Sequence, residues 1–138
     1  MKSARLDPSR MKNITPDEVG GLRPGTICQV VQDTVINEPQ AIIILEDIPP
    51  GPELEWAFTY NEAQYIMGGK VEVTYTVAPW NRKVGKKTLE EGDVCLFFIG
   101  DRVIFKVLSE EPLRHLCFIM PRPRWEKWQV KEEFEEPA

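Results

Sequence analysis

Glu62 stands seven residues ahead of Gly69 in Glu62-Ala-Gln-Tyr65-Ile-Met-Gly-Gly69, and ahead of it Trp56, Phe58 and Tyr60 alternate with smaller residues. Period-2 alternation places Trp56, Phe58, Tyr60 and Glu62 on one face of a strand, and it gives Val103, Phe105 and Val107 a shared face on another. One acid and one phenol among rings and aliphatic chains make a pocket suited to an aromatic or otherwise flat organic ligand. Burial there raises a carboxylate's pKa toward neutrality, where it can both take and return a proton. Glu62 is therefore the candidate general acid/base, with Tyr60 and His115 assisting. Candidate substrate contacts are Trp56, Phe58, Tyr75, Val103, Phe105 and Cys117. His115, the one histidine, alternates with Arg114, so one of the two faces inward, where His115 could pair with Glu62 or Tyr60 as a proton shuttle. The competing reading is that the aromatic stripe is simply the core of a small barrel.

The elements that must hold these residues are strands. Ile27-Cys-Gln-Val-Val31, Gln40-Ala-Ile-Ile-Ile-Leu45, Trp56–Tyr60, Val71–Tyr75, Val94–Ile99, Val103–Leu108 and Leu113–Met120 are β-branched, aromatic or alternating runs. Pro49-Pro50-Gly51-Pro52, Gly68-Gly69, Gly92-Asp93 and Gly100-Asp101-Arg102 read as the turns between them. Pro79–Lys87, with Arg82, Lys83, Lys86 and Lys87, reads as a solvated basic loop. Thr15-Pro16-Asp17-Glu18 signals a short helix start, and Trp125 and Trp128 suit one helical turn in the tail. The expected organisation is an N-terminal arm over 1–25, a β-barrel over 26–121 and a C-terminal tail over 122–138.

Composition narrows the partners. The 138 residues carry 17 basic and 22 acidic side chains, a net charge of −5, which argues against nucleic acid or an anionic membrane surface as partner. No apolar run approaches the roughly 20 residues of a membrane span, and the first residues do not look like a signal peptide, so the expected location is cytoplasmic. Cys28, Cys95 and Cys117 are too few and scattered for a disulfide framework or zinc knuckle and read as small hydrophobes.

The Glu62–Gly69 spacing, with Gly92 and Gly100 further on, resembles the two signatures of the cupin β-barrels. The implied fold is all-β, a cupin-type double-stranded β-helix (jelly-roll) barrel with short N- and C-terminal helical turns. In that pattern two histidines, a glutamate and a third histidine hold a metal. Here the histidine positions fall on Trp56 and Phe58, or on Glu55 and Ala57 with a longer spacer, and on Val103. Glu62 alone is kept, and a lone carboxylate cannot hold a catalytic divalent ion. Neither a metal nor another cofactor is therefore expected. Within the cupins, Trp56-x-Phe-x-Tyr60-x-Glu62-x-x-Tyr65-Ile-x-x-Gly69, Gly92-Asp93-Val94 and Met120-Pro121 followed by Trp125 are similar to the ethanolamine-utilisation (EutQ-like) family. That resemblance implies a small-molecule role in aldehyde or acetate metabolism, with acetate kinase activity attributed to the family; no phosphate-cradling loop accompanies it here.

Two functions follow as expectations. One is a metal-independent lyase, isomerase, cyclase or hydrolase acting on a small aromatic or carbonyl-containing metabolite through Glu62. The other is a non-catalytic binding or assembly barrel. A homodimer is expected in either case, because cupins commonly pair through sheet faces and an open barrel has edges to cover. Sedimentation at micromolar concentration should give twice the 15.9 kDa chain mass; a mass near one chain would overturn this.

Overall fold

The computed structural model describes residues 1–14, 29–76 and 84–120. The short helix expected from Thr15, the strand start at Ile27, much of the basic loop and the tryptophan-bearing tail lie outside them. A 3-10 turn, Pro8–Arg10, is capped by Asp7, whose carboxylate accepts from the Ser9 amide at 3.1 Å. The other regular elements among the described residues are strands: β1 (Lys12–Asn13), β2 (Val31–Glu38), β3 (Ala41–Ile48), β4 (Leu54–Ala57), β5 (Asn61–Gly68), β6 (Lys70–Thr76), β7 (Val84–Glu90), β8 (Val94–Phe97), β9 (Arg102–Val107) and β10 (Leu113–Met120).

They form two antiparallel sheets, β1-β2-β3-β10-β5-β8 and β4-β9-β6-β7, consistent with the jelly roll expected from the sequence. Each sheet turns one face inward. From the four-stranded sheet come Leu54, Trp56, Val71, Val73, Leu89, Val103 and Phe105; from the six-stranded sheet come Ile48, Ile66, Phe97 and Leu113. Strand alternation makes this possible, since burial in β10 runs strictly buried–intermediate from Leu113 to Ile119.

Two turns share one construction. The Asp93 carboxylate accepts from the Glu90 amide, and the Asp101 carboxylate accepts from the Phe98 amide, each at 2.8 Å. Both aspartates follow a positive-φ glycine, Gly92 or Gly100.

The strands β2 and β5 form where the expected runs had stopped at Val31 and Tyr60, and two further departures bear on the site. Trp56–Tyr60 is not one strand: β4 ends at Ala57, and Phe58 and Tyr60 lie in the passage to β5 in the other sheet. Trp56 and Glu62 thus face the interior from opposite sheets rather than from one strand face. The backbone of Phe58 leaves the ladder because it exchanges hydrogen bonds with the turn after β8, Phe58 N to Asp101 O and Gly100 N to Phe58 O, both 2.9 Å. Second, Lys86 and Lys87 belong to an edge strand, β7, and not to a loop. Lysines on an edge strand discourage pairing with another chain. Lys86 reaches Glu72 across β6 at 3.9 Å.

Gly69 links β5 to β6 at φ +81°, and a Cβ there would lie 2.6 Å from the Pro112 carbonyl oxygen and 2.9 Å from Leu113 Cα. Both obstacles are backbone. Gly69→Ala should therefore destabilise the fold by at least about 2 kcal/mol, read as a lower urea midpoint. An unchanged midpoint would show that the hairpin relaxes freely.

Candidate functional site

Registered pairing across β3, β10, β5 and β8 builds three rows on the inner face of the larger sheet. The first is Glu46–His115–Ile66; the second is Ile44–Cys117–Gln64–Cys95; the third is Ile42–Ile119–Glu62–Phe97. The polar members concentrate where these strands adjoin. A β-bulge at Met67 sets the faces: Arg114 pairs with Gly68 but His115 pairs with Ile66, leaving Met67 as the extra residue.

Glu62 is 7% exposed and takes a 2.6 Å hydrogen bond from Gln64 Nε2 to its Oε2. Gln64 Oε1 in turn accepts a weak bond from the Cys95 thiol at 4.0 Å. His115 is fully buried, and its Nε2 lies 2.6 Å from Glu46 Oε1. The other ring nitrogen, Nδ1, is buried with no hydrogen-bond partner. Arg114 points the opposite way, to the outer face, in a bidentate pair with Asp47 at 2.8 and 2.9 Å.

Burial, and next the charge of Glu46, push the Glu62 carboxyl from the ordinary 4.5 up to about 7; the Gln64 hydrogen bond and His115 pull the other way. Tyr60 is half-buried just ahead of β5, and desolvation followed by the charges of Glu62 and Glu46 raises its phenol pKa. The phenol therefore remains a donor at neutral pH. Burial likewise raises the Cys95 thiol to about 11 and pushes the Cys117 thiol well above its usual range.

Glu62, Tyr60, His115 and Cys117 thus come together, but the histidine's partner is Glu46 rather than Glu62 or Tyr60. Trp56, Phe58, Val103 and Phe105 belong to the packed core. Phe58 stacks on Phe97 with centroids 4.5 Å apart, Trp56 tilts against Phe58 at 6.3 Å, and Phe105 meets Phe97 edge-on at 5.8 Å. At the positions Trp56, Phe58, Glu62 and Val103 only Glu62 carries a ligating atom, so these four residues do not fit a metal there. Tyr75 lies apart from the carboxylates. It packs over Gly85 and lines a cleft of about 390 Å³ with Lys87, Leu89, Cys95 and Phe97.

Glu46 and Gln64 join the site from positions that no motif in the sequence marks. A signal existed for Glu46: in Ile42-Ile-Ile-Leu-Glu46, alternation sets this acid on the face of Ile42 and Ile44.

No family model and no curated protein sequence matches the chain. Solved structures do. A predicted oxalate decarboxylase from Thermotoga maritima superposes with a TM-score of 0.64 at 17% identity, over 88% of this chain and all of that one. KdgF from Halomonas sp. gives 0.62 at 14% identity, over 88% and 96% of the two chains. EutQ from Clostridium difficile gives 0.53 at 16% identity, over 67% of this chain; the match spans only 62% of EutQ. At these identities the likeness shows the fold.

A carboxyl raised on folding makes stability fall with pH. Glu62 contributes fully below its unfolded value of 4.5, and that contribution is lost as pH rises through about 7. Glu62→Gln should flatten this fall, so between pH 5 and 8 the wild type should lose up to about 3 kcal/mol relative to the variant in urea unfolding. Parallel pH curves would refute the assignment.

Proposed function

We propose that this chain, a cupin by fold, is an acid/base enzyme, an isomerase or lyase acting on a small carbonyl-containing metabolite through Glu62. The observation that carries this reading is the placement of Glu62. It is turned into the barrel, bonded by a neutral amide and set near a second carboxylate, Glu46, which together with burial holds its pKa at about 7. A carboxyl so tuned accepts a proton from carbon or oxygen and returns it near physiological pH. Gln64 engages Oε2, which leaves Oε1 as the atom for substrate. The Tyr60 phenol donates to the carbonyl oxygen, where negative charge develops as a neighbouring proton leaves. The proton transfers run through Glu62, without an ion at the cupin metal position.

The titratable groups around Glu62 bear on its pH response: Glu46 from β3, His115 and Cys117 from β10, Cys95 from β8, and Tyr60 ahead of β5. A non-catalytic binding barrel is the second reading, favoured by the ring packing that fills the positions of Trp56 and Phe58. The phosphoryl transfer implied by the EutQ-like resemblance has less support, since the sequence holds no glycine-rich phosphate loop. Homodimerisation is part of the proposal; exposed Tyr65, Val94 and Leu96 on the outer side of β5 and β8 support it.

Carbonyl metabolites incubated with the protein in deuterated water and followed by NMR should reveal a compound that exchanges a proton or is converted. Glu62→Gln should then lower kcat by at least about 100-fold. The wild-type kcat should titrate with an apparent pKa near 7. Full turnover by Glu62→Gln would sink the proposal.

A further inference from the structure

We propose that Glu46, His115 and Cys117 form a binding site for one divalent cation of the zinc class, on different strands from the cupin metal position. One carboxylate oxygen, one imidazole nitrogen and one thiol sulfur, offered by β3 and β10, lie within 4.8 Å of one another. Nitrogen, sulfur and oxygen are the donor types zinc selects, and a tetrahedral ion with bonds of about 2.0–2.3 Å holds donors roughly 3.3–3.8 Å apart. Side-chain adjustments of about an ångström close the difference, within rotamer-scale freedom.

A second observation bears on how the ring would receive an ion. His115 has no exposed surface, yet Nδ1 has no hydrogen-bond partner. Among the described residues the contact from Nε2 to Glu46 is the ring's one hydrogen bond, so the ring is free to turn at the nitrogen that meets the ion. A cation entering beside Nε2 displaces two protons to solvent, the one in the 2.6 Å contact to Glu46 and the one on the Cys117 thiol, and the ring can shift without breaking another hydrogen bond to the described residues. Cys117, two residues on and 2% exposed, lies on the same inward face of β10. Three protein donors leave a fourth position open inside the barrel. The Glu46 side chain keeps 12% of its surface in solvent, which gives the ion a way in.

The test is cobalt(II) titration of chelator-stripped, reduced protein, with optical spectroscopy. One equivalent should bind and produce both the intense ligand-field bands of four-coordinate cobalt and a thiolate-to-cobalt charge-transfer band. Cys117→Ser should abolish the charge-transfer band, Glu46→Gln should weaken binding by about 10- to 100-fold, and Cys28→Ser and Cys95→Ser should leave the spectrum unchanged. Absence of stoichiometric binding, or a band that survives Cys117→Ser, would overturn the proposal. Should a variant fail to fold, X-ray absorption on the zinc-loaded wild type decides alone. One sulfur at about 2.3 Å with nitrogen and oxygen at about 2.0–2.2 Å supports the site, and a shell without sulfur refutes it. These measurements read ligands and not turnover, so their failure leaves the Glu62 reading standing, and the reverse.

Discussion

Putting carboxylates inside a barrel is the constraint around which this molecule is arranged. An ionised carboxylate taken out of water needs a partner or must hold its proton. The chain uses both solutions within three adjacent rows of one sheet. Glu46 meets a histidine at 2.6 Å, while Glu62 receives only an amide and is pushed up to about 7. The two acids are held by different partners, a histidine for Glu46 and a neutral amide for Glu62.

The opposite sheet supplies the contrast that makes this work. Trp56 and Phe105 come from it, Phe97 from the larger sheet and Phe58 from the passage between the two, and the four rings pack in sequence against one another. Rings at these separations leave little room for water, and the low polarity that results keeps Glu62 protonated further up the pH scale. Trp56 and Phe58 belong to this ring cluster and so shape the surroundings of Glu62. They withdraw the solvent that would otherwise return Glu62 to an ordinary acid.

The jelly-roll could be read from the chain because its strands are β-branched or alternating and its turns carry glycine with aspartate. β10 emerged with its observed bounds, Leu113–Met120. β7 did not, since lysines and Gly85 on an edge strand look like loop when pairing is invisible. The Trp56–Tyr60 alternation was real, but backbone bonds to the turn after β8 divert the chain at Phe58. The inward turn of His115 was open to alternation, whereas its partner was not. Glu46 lies 69 residues away, and only the β3–β10 register brings the two face to face. The site is a product of topology, and a one-dimensional pattern holds just half of it.

The extra residue at Met67 carries a consequence for how this chain can vary. Gly68 sits in the outward row of Arg114, so counting back by twos without the bulge would send Gln64 and Glu62 out to solvent. One surplus residue reverses the reading frame of the strand and brings both inside. Natural variation here should therefore run almost wholly through substitution, because a single-residue deletion between Glu62 and Gly69 would turn Glu62 and Gln64 to the outer face while leaving both in the sequence. The interval from glutamate to glycine is thus a structural frame marker, and relatives are better aligned by that count than by the identities within it.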